Sequence, residues 1–220
     1  MIIPTPAQLL VERMARLAPE RHAVPRIQAL YAASIATADD TAMSAALRLG
    51  LASGIGRSQC YEIVLQSYLF LGFPRMLLAV EALNRLMPNG SQPIAETGED
   101  SYAAHVEAGL ALCREIYGTA FEPLRTKIES SAPEVFRWMV LEGYGKVMSR
   151  PGLGKMEREI CSVAFLIMEG YEQQLHSHMR GALNVGAPVD LLSIVIDDIG
   201  PAGGAGTETA RQILRKIGSK

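Results

Sequence analysis

Apolar side chains return every three or four positions along most of the chain, the spacing of helices that each press one face against a core. Residues 7–17 predict a helix, with Pro6 in the first turn where its missing N–H is no loss. Helices follow over 24–37 and 41–53, the second closed by Gly54. The next covers 57–72 with Ser58 as a candidate N-cap, and Pro74 opens another that runs to about Met87. Turn-formers and acids crowd PNGSQPIAETGED, residues 88–100, which reads as a linker. Helical spacing resumes over 101–117, 120–130 and 132–148, pauses at the loop SRPGLG (149–154), and returns over 155–169 and 171–185, with Gly170 as the joint. APVDLLSIVIDDIG is a further core helix with Asp190 near its start, PAGGAG (201–206) reads as a flexible loop, and 207–217 as a last short helix. No hairpin or strand–helix–strand pattern appears, so the fold class is all-α.

Two of these helices carry the candidate chemistry. After Glu159, the helix 155–169 is apolar on every side (ICSVAFLIM), the pattern of a fully buried helix. Glu159 therefore sits at the mouth of a core or inside it. The helix 171–185 has an apolar stripe of Leu175, Met179, Ala182 and Leu183, with Tyr171, Gln174 and His178 along one flank. His176 lies on nearly the opposite side from His178, so the two cannot chelate one metal from a regular helix; no metal site is expected. Folding the helices back at Gly170 brings His178 within about one turn of both Glu159 and Cys161, at ~1.5 Å per residue. Glu159 with His178 is an acid–base constellation, and Cys161 with His178 a nucleophile–base one. A lone cysteine in an apolar helix is more often packing.

The chain also repeats itself weakly. A shift of 132 residues, without a gap, aligns Arg26 with Arg158, Ala32 with Ala164, Ile35 with Ile167, Arg48 with Arg180, Leu51 with Leu183, Gly54 with Gly186 and Gly72 with Gly204. A duplicated helical module explains this most simply. The division expected is a degenerate module over 1–90, a linker over 91–100 and a second module over 101–220. Under the same shift Glu159 falls on Ile27 and His178 on Ala46, so the first module has lost both ionisable groups.

Composition narrows the function classes. The formal charge of −2 on 220 residues argues against a nucleic-acid binder. No uninterrupted apolar run reaches membrane-spanning length, and the N-terminus lacks a basic leader with a cleavage site; a cytoplasmic protein without a membrane partner is expected. Three cysteines, widely spaced and without CxxC, exclude a disulfide framework and a zinc ribbon.

The stretch 143–192 resembles the carboxymuconolactone decarboxylase family, in the loop SRPGL, in the run EREI-x-SVA as it stands here (EREICSVA), and most specifically in L-x-S-H-M-R-G-A-L-N-x-G-A. The likeness reaches back to about Tyr102 through HVEAGLALCREIYG, and Gly72-Phe73-Pro74 in the first half matches a family turn. The resemblance implies an alkylhydroperoxidase D-like helical fold in two related modules, assembled as a homo-oligomer, with a trimer favoured and a dimer the alternative. It implies cofactor-independent decarboxylation of 4-carboxymuconolactone or a related small carboxylated lactone or acid. The redox branch of the family uses two cysteines, and their positions here are Tyr171 and Gln174. His178 matches the family's functional histidine and Glu159 its glutamate; Tyr171, Gln174, Arg180 and His176 are the expected substrate-binding residues. IGPAGGAG stands where the second module's Gly-Phe-Pro turn belongs, which implies a remodelled pocket wall. Two other readings stand beside the decarboxylase: a non-catalytic small-ligand-binding or assembly protein using the same pocket, and a thiol peroxidase-like protein working through Cys161 or Cys60.

Overall fold

The computed structural model describes residues 3–18, 21–88 and 102–218, and within them the chain is all-α. This is consistent with an alkylhydroperoxidase D-like helical fold. The helices are α1 (Pro6–Ala15), α2 (Ala23–Ala36), α3 (Asp40–Ala52), α4 (Arg57–Leu86), α5 (Tyr102–Tyr117), α6 (Phe121–Ser131) and α7 (Pro133–Trp138). After a π-helical stretch, Met139–Met148, come α8 (Lys155–Glu169), α9 (Glu172–Asn184), α10 (Val189–Ile199) and α11 (Gly204–Ile217). The expected linker 91–100 lies outside the described residues.

α2 and α8 lie against each other at the centre. Arg26 to Ala36 of α2 and Arg158 to Ile167 of α8 are buried without interruption, so both stretches are mostly apolar on all sides and their few polar members are buried with them. The surrounding core draws side chains from α1–α4 and from α8–α11 together. A second, smaller core, including Ile116, Phe121, Phe136, Val140 and Tyr144, is built by the 102–148 stretch, with Leu69 and Val185 packed against it.

Two buried arginines, Arg26 and Arg158, each reach a carboxylate far away along the chain. Arg26 donates to both oxygens of Asp198 on α10, at 2.7 and 3.1 Å. Arg158 donates to Glu62 on α4 at 2.8 Å, and Arg150, from the loop before α8, joins the same carboxylate. Each buried charge thereby has a partner, without which it would cost several kcal/mol.

Three expectations change at the level of elements. α4 spans 30 residues as two helical segments that meet at Gly72, the division the sequence predicts, and its most apolar window has a mean hydropathy of 1.6. By length and composition it is therefore long and apolar enough to cross a membrane, contrary to the count of uninterrupted apolar residues, because scattered polar residues barely dilute the window. In this fold α4 is broken at Gly72 (φ 74°, ψ 170°), and its inner face buries Glu62 and Gln66 with the core. The helix expected over 132–148 widens into π-helix from Met139. The loop expected at 201–206 is shorter: Gly200–Gly203 forms a 3₁₀ turn and α11 begins at Gly204. Its glycines serve proximity, since a Cβ on Gly206 would lie 1.9 Å from the Ile167 carbonyl oxygen.

Candidate active site

α8 and α9 run antiparallel through Gly170, which takes the left-handed conformation (φ 74°) that ends α8. The hairpin brings Glu159 against His178, with Glu159 Oε2 2.9 Å from Nδ1 of the imidazole. Glu159 is completely buried and His178 nearly so. Gly181, one turn after His178, makes room: a Cβ there would stand 2.6 Å from Glu159 Oε2 and 2.7 Å from Ile116. The other carboxylate oxygen, Oε1, is buried with no hydrogen-bond partner among the described residues. A carboxylate buried on one hydrogen bond is a costly arrangement for a purely structural role.

His178 opens onto a cavity of ≈ 630 Å³ at the seam between the two cores. α4 contributes Tyr68, Leu69, Phe70 and Phe73; Phe70 meets the imidazole edge-on at 5.4 Å, and Tyr68 stacks on Phe73. Trp138, Glu142 and Tyr144 line the side formed by α7 and the π-helical stretch, and Tyr117 closes it from the end of α5. The Tyr117 and Tyr144 hydroxyls are 2.7 Å apart. Burial pushes both phenols above their ordinary range, and the nearby Glu159 carboxylate adds to the effect, so both stay protonated donors at neutral pH. Asn184 positions this corner by donating to the Ile116 carbonyl at 2.8 Å, which anchors the end of α5 to α9.

The sequence-predicted residues divide. His178 and Gln174 line the cavity, and Glu159 meets His178 without itself lining it. Tyr171 is 54% exposed at the start of α9 and does not line it. His176 and Arg180 are exposed on other sides of α9 and do not line it either. Burial, then Arg180 and Lys216, lowers the His176 pKa. The 201–206 segment is absent from the described lining, whereas the Gly72-Phe73 turn of the first half supplies Phe73. Sequence reasoning missed the tyrosine pair, Phe70, Trp138 and Glu142. Their spacing shows only helix faces, and nothing local links α4, α5 and the π-helical stretch to one place.

All three cysteines are buried and free, and none lines the cavity. Burial pushes the Cys60 thiol up to about 11 and Cys113 up to about 12, and raises Cys161 too. Thiols held protonated at neutral pH are poor nucleophiles, which counts against the redox reading. A wider groove of ≈ 920 Å³ between α10 and α11 is lined by Asp190, Asp197 and Arg211, and these already pair with Arg21 or with each other. The cavity at His178 is therefore the stronger candidate.

No family model matches the chain. Over 80 residues, 34% of the chain, it is 31% identical to the 4-carboxymuconolactone decarboxylase of Acinetobacter baylyi. Over 130 residues, 57% of the chain, it is 25% identical to Peroxisomal protein 2 of Schizosaccharomyces pombe. In each case the match spans 60% of the relative's own length. An all-α chain with a buried glutamate–histidine pair at an aromatic cavity is thus distantly similar to 4-carboxymuconolactone decarboxylase.

Proposed function

We propose that the chain is a cofactor-independent decarboxylase acting on a small carboxylated lactone or related acid of the 4-carboxymuconolactone type. The observation that carries this reading is the buried Glu159 carboxylate held against Nδ1 of a cavity-lining histidine. Glu159 Oε2 accepts a hydrogen bond from Nδ1–H and fixes the ring orientation, which leaves Nε2 to exchange a proton with substrate. Loss of carbon dioxide sends the bonding electron pair into the conjugated lactone carbonyl. A hydroxyl of the Tyr117–Tyr144 pair donates to the developing oxyanion, and the imidazole, protonated from solvent before the step, delivers that proton to carbon and is reprotonated from solvent afterwards. The aromatic walls favour the step by stripping water from the departing carboxylate.

The two-module organisation belongs to the same proposal. The bounds of α3 and α9 correspond residue for residue under the 132-residue shift, and those of α2 and α8 nearly so. Ile27 and Ala46, the first module's counterparts of Glu159 and His178, are both buried packing residues. We also propose self-association, with a trimer favoured over a dimer; exposed Phe73, Leu77 and Leu78 on α4 support it. Size-exclusion chromatography with light scattering tests this, and a monomeric mass would overturn it.

The deciding assay follows carbon dioxide release from 4-carboxymuconolactone and, beside it, from a singly carboxylated butenolide. Wild type turns over at least one. His178→Ala lowers the rate by about 10²–10⁴-fold, the range for a general acid–base group. Turnover that survives in this variant removes the site, and none in folded wild type moves the function to ligand binding alone.

A further inference from the structure

The cavity combines aromatic walls with very little positive charge. Among the described residues lining it, His178 is the one side chain able to carry a positive charge, and Glu159 already partners that charge from behind. Glu142 places a carboxylate in the lining, and Lys146, which pairs with it at 3.3 Å, is not part of the lining. A second carboxylate on a ligand would meet no guanidinium or ammonium among the described lining residues, and would face the Glu142 carboxylate, whose partner Lys146 lies outside the lining. Tyr68, Phe70, Phe73 and Trp138 offer flat apolar surface instead.

We infer that the substrate is a ring compound with an apolar body and a single carboxylate, and that Glu142 is the residue that selects against diacids. This rests on the decarboxylase reading for the role of that one carboxylate, and it makes 4-carboxymuconolactone, with two, a weaker ligand than a singly carboxylated lactone. Glu142 acts through its charge and takes no part in the proton transfers.

Trp138 is the chain's single tryptophan and lines the cavity, so its emission reports occupancy directly. The probes are 4-methylcyclohexanecarboxylate and trans-1,4-cyclohexanedicarboxylate, matched in ring and transparent to tryptophan excitation, titrated into the full chain by calorimetry and by fluorescence. The monoacid binds about ten-fold tighter than the diacid and shifts Trp138 emission. Glu142→Gln narrows that gap several-fold, and because Glu142 is part-exposed the variant keeps its fold. His178→Gln, which retains an amide donor for Glu159, weakens the monoacid. Equal or tighter diacid binding overturns the inference, as does binding that leaves Trp138 emission unchanged, or no binding of either probe. Diacid preference together with carbon dioxide release would leave the decarboxylase standing and remove only this substrate class. Monoacid preference without release from any substrate would do the reverse.

Discussion

At the scale of single residues, the site depends on a side chain that is missing. Gly181 stands one turn after His178, and its hydrogen is all that fits between α9, Glu159 and Ile116. Gly181→Ala gains up to about 1 kcal/mol of helix preference and loses about 1–3 kcal/mol to overpacking. The added methyl lies closest to the oxygen that accepts from His178. The expected outcome is a modest shift in the urea midpoint with a much larger fall in the rate of the proposed decarboxylation. A variant as active as wild type would show that the Glu159–His178 contact is dispensable.

At the scale of elements, the cavity wall is set by the crossing of α5 with the π-helical stretch. A Cβ on Gly109 would lie 2.1 Å from the Val140 carbonyl oxygen, and one on Gly145 would lie 2.2 Å from that of His105. Two backbones therefore touch here, and the wider π-helical turn carries Glu142 and Tyr144 into the lining. Such turns recur at functional sites because they re-aim side chains without ending a helix. Gly145→Ala must part the two elements and costs about 3 kcal/mol, seen as a lowered denaturation midpoint. Gly143→Ala, two positions away with nothing within 4 Å of its Cβ, does not lower the midpoint and raises it through a gain of up to about 1 kcal/mol of helix preference. Equal effects from the two substitutions would refute close approach as the cause.

At the scale of the whole molecule, buried neutral acids set a limit on alkaline stability. Burial raises Cys60 to about 11 and Cys113 to about 12 from an ordinary 9.0. It also raises Tyr31, Tyr117 and Tyr144 above an ordinary 10.0. Once the pH passes about 9, the unfolded chain releases thiol protons that the native state keeps, so the native state binds more protons and unfolding becomes easier as pH rises. The stabilisation is complete below pH 9 and is lost as the pH climbs through the raised native values. Thermal melts at pH 7, 9, 10 and 11 show a Tm that is level to pH 9 and then falls steeply. A Tm unchanged to pH 11 would mean these groups are not buried in solution. Arg26 and Arg158 add a second whole-molecule effect, since each ties one half of the chain to the other through a buried carboxylate.

Hydrophobic spacing by itself determined the all-α class, the positions of nearly every helix and the centrality of the 155–169 helix. Those properties follow from local geometry: a 3.6-residue period shows which face is buried, and an all-apolar run shows a helix covered on every side. It also placed Glu159 next to His178, because both lie on neighbouring helices joined at one glycine, and the rise per residue then sets their meeting. Tertiary structure alone decided the rest of the cavity. Phe70, Tyr117, Trp138, Glu142 and Tyr144 lie far apart along the chain, and only the packing of α4, α5 and the π-helical stretch onto α9 brings them to one space. Helix periodicity records that a face is covered without recording by what. For the same reason it put Tyr171 on one flank of α9 with Gln174 and His178, while packing turned only Gln174 and His178 toward the cavity.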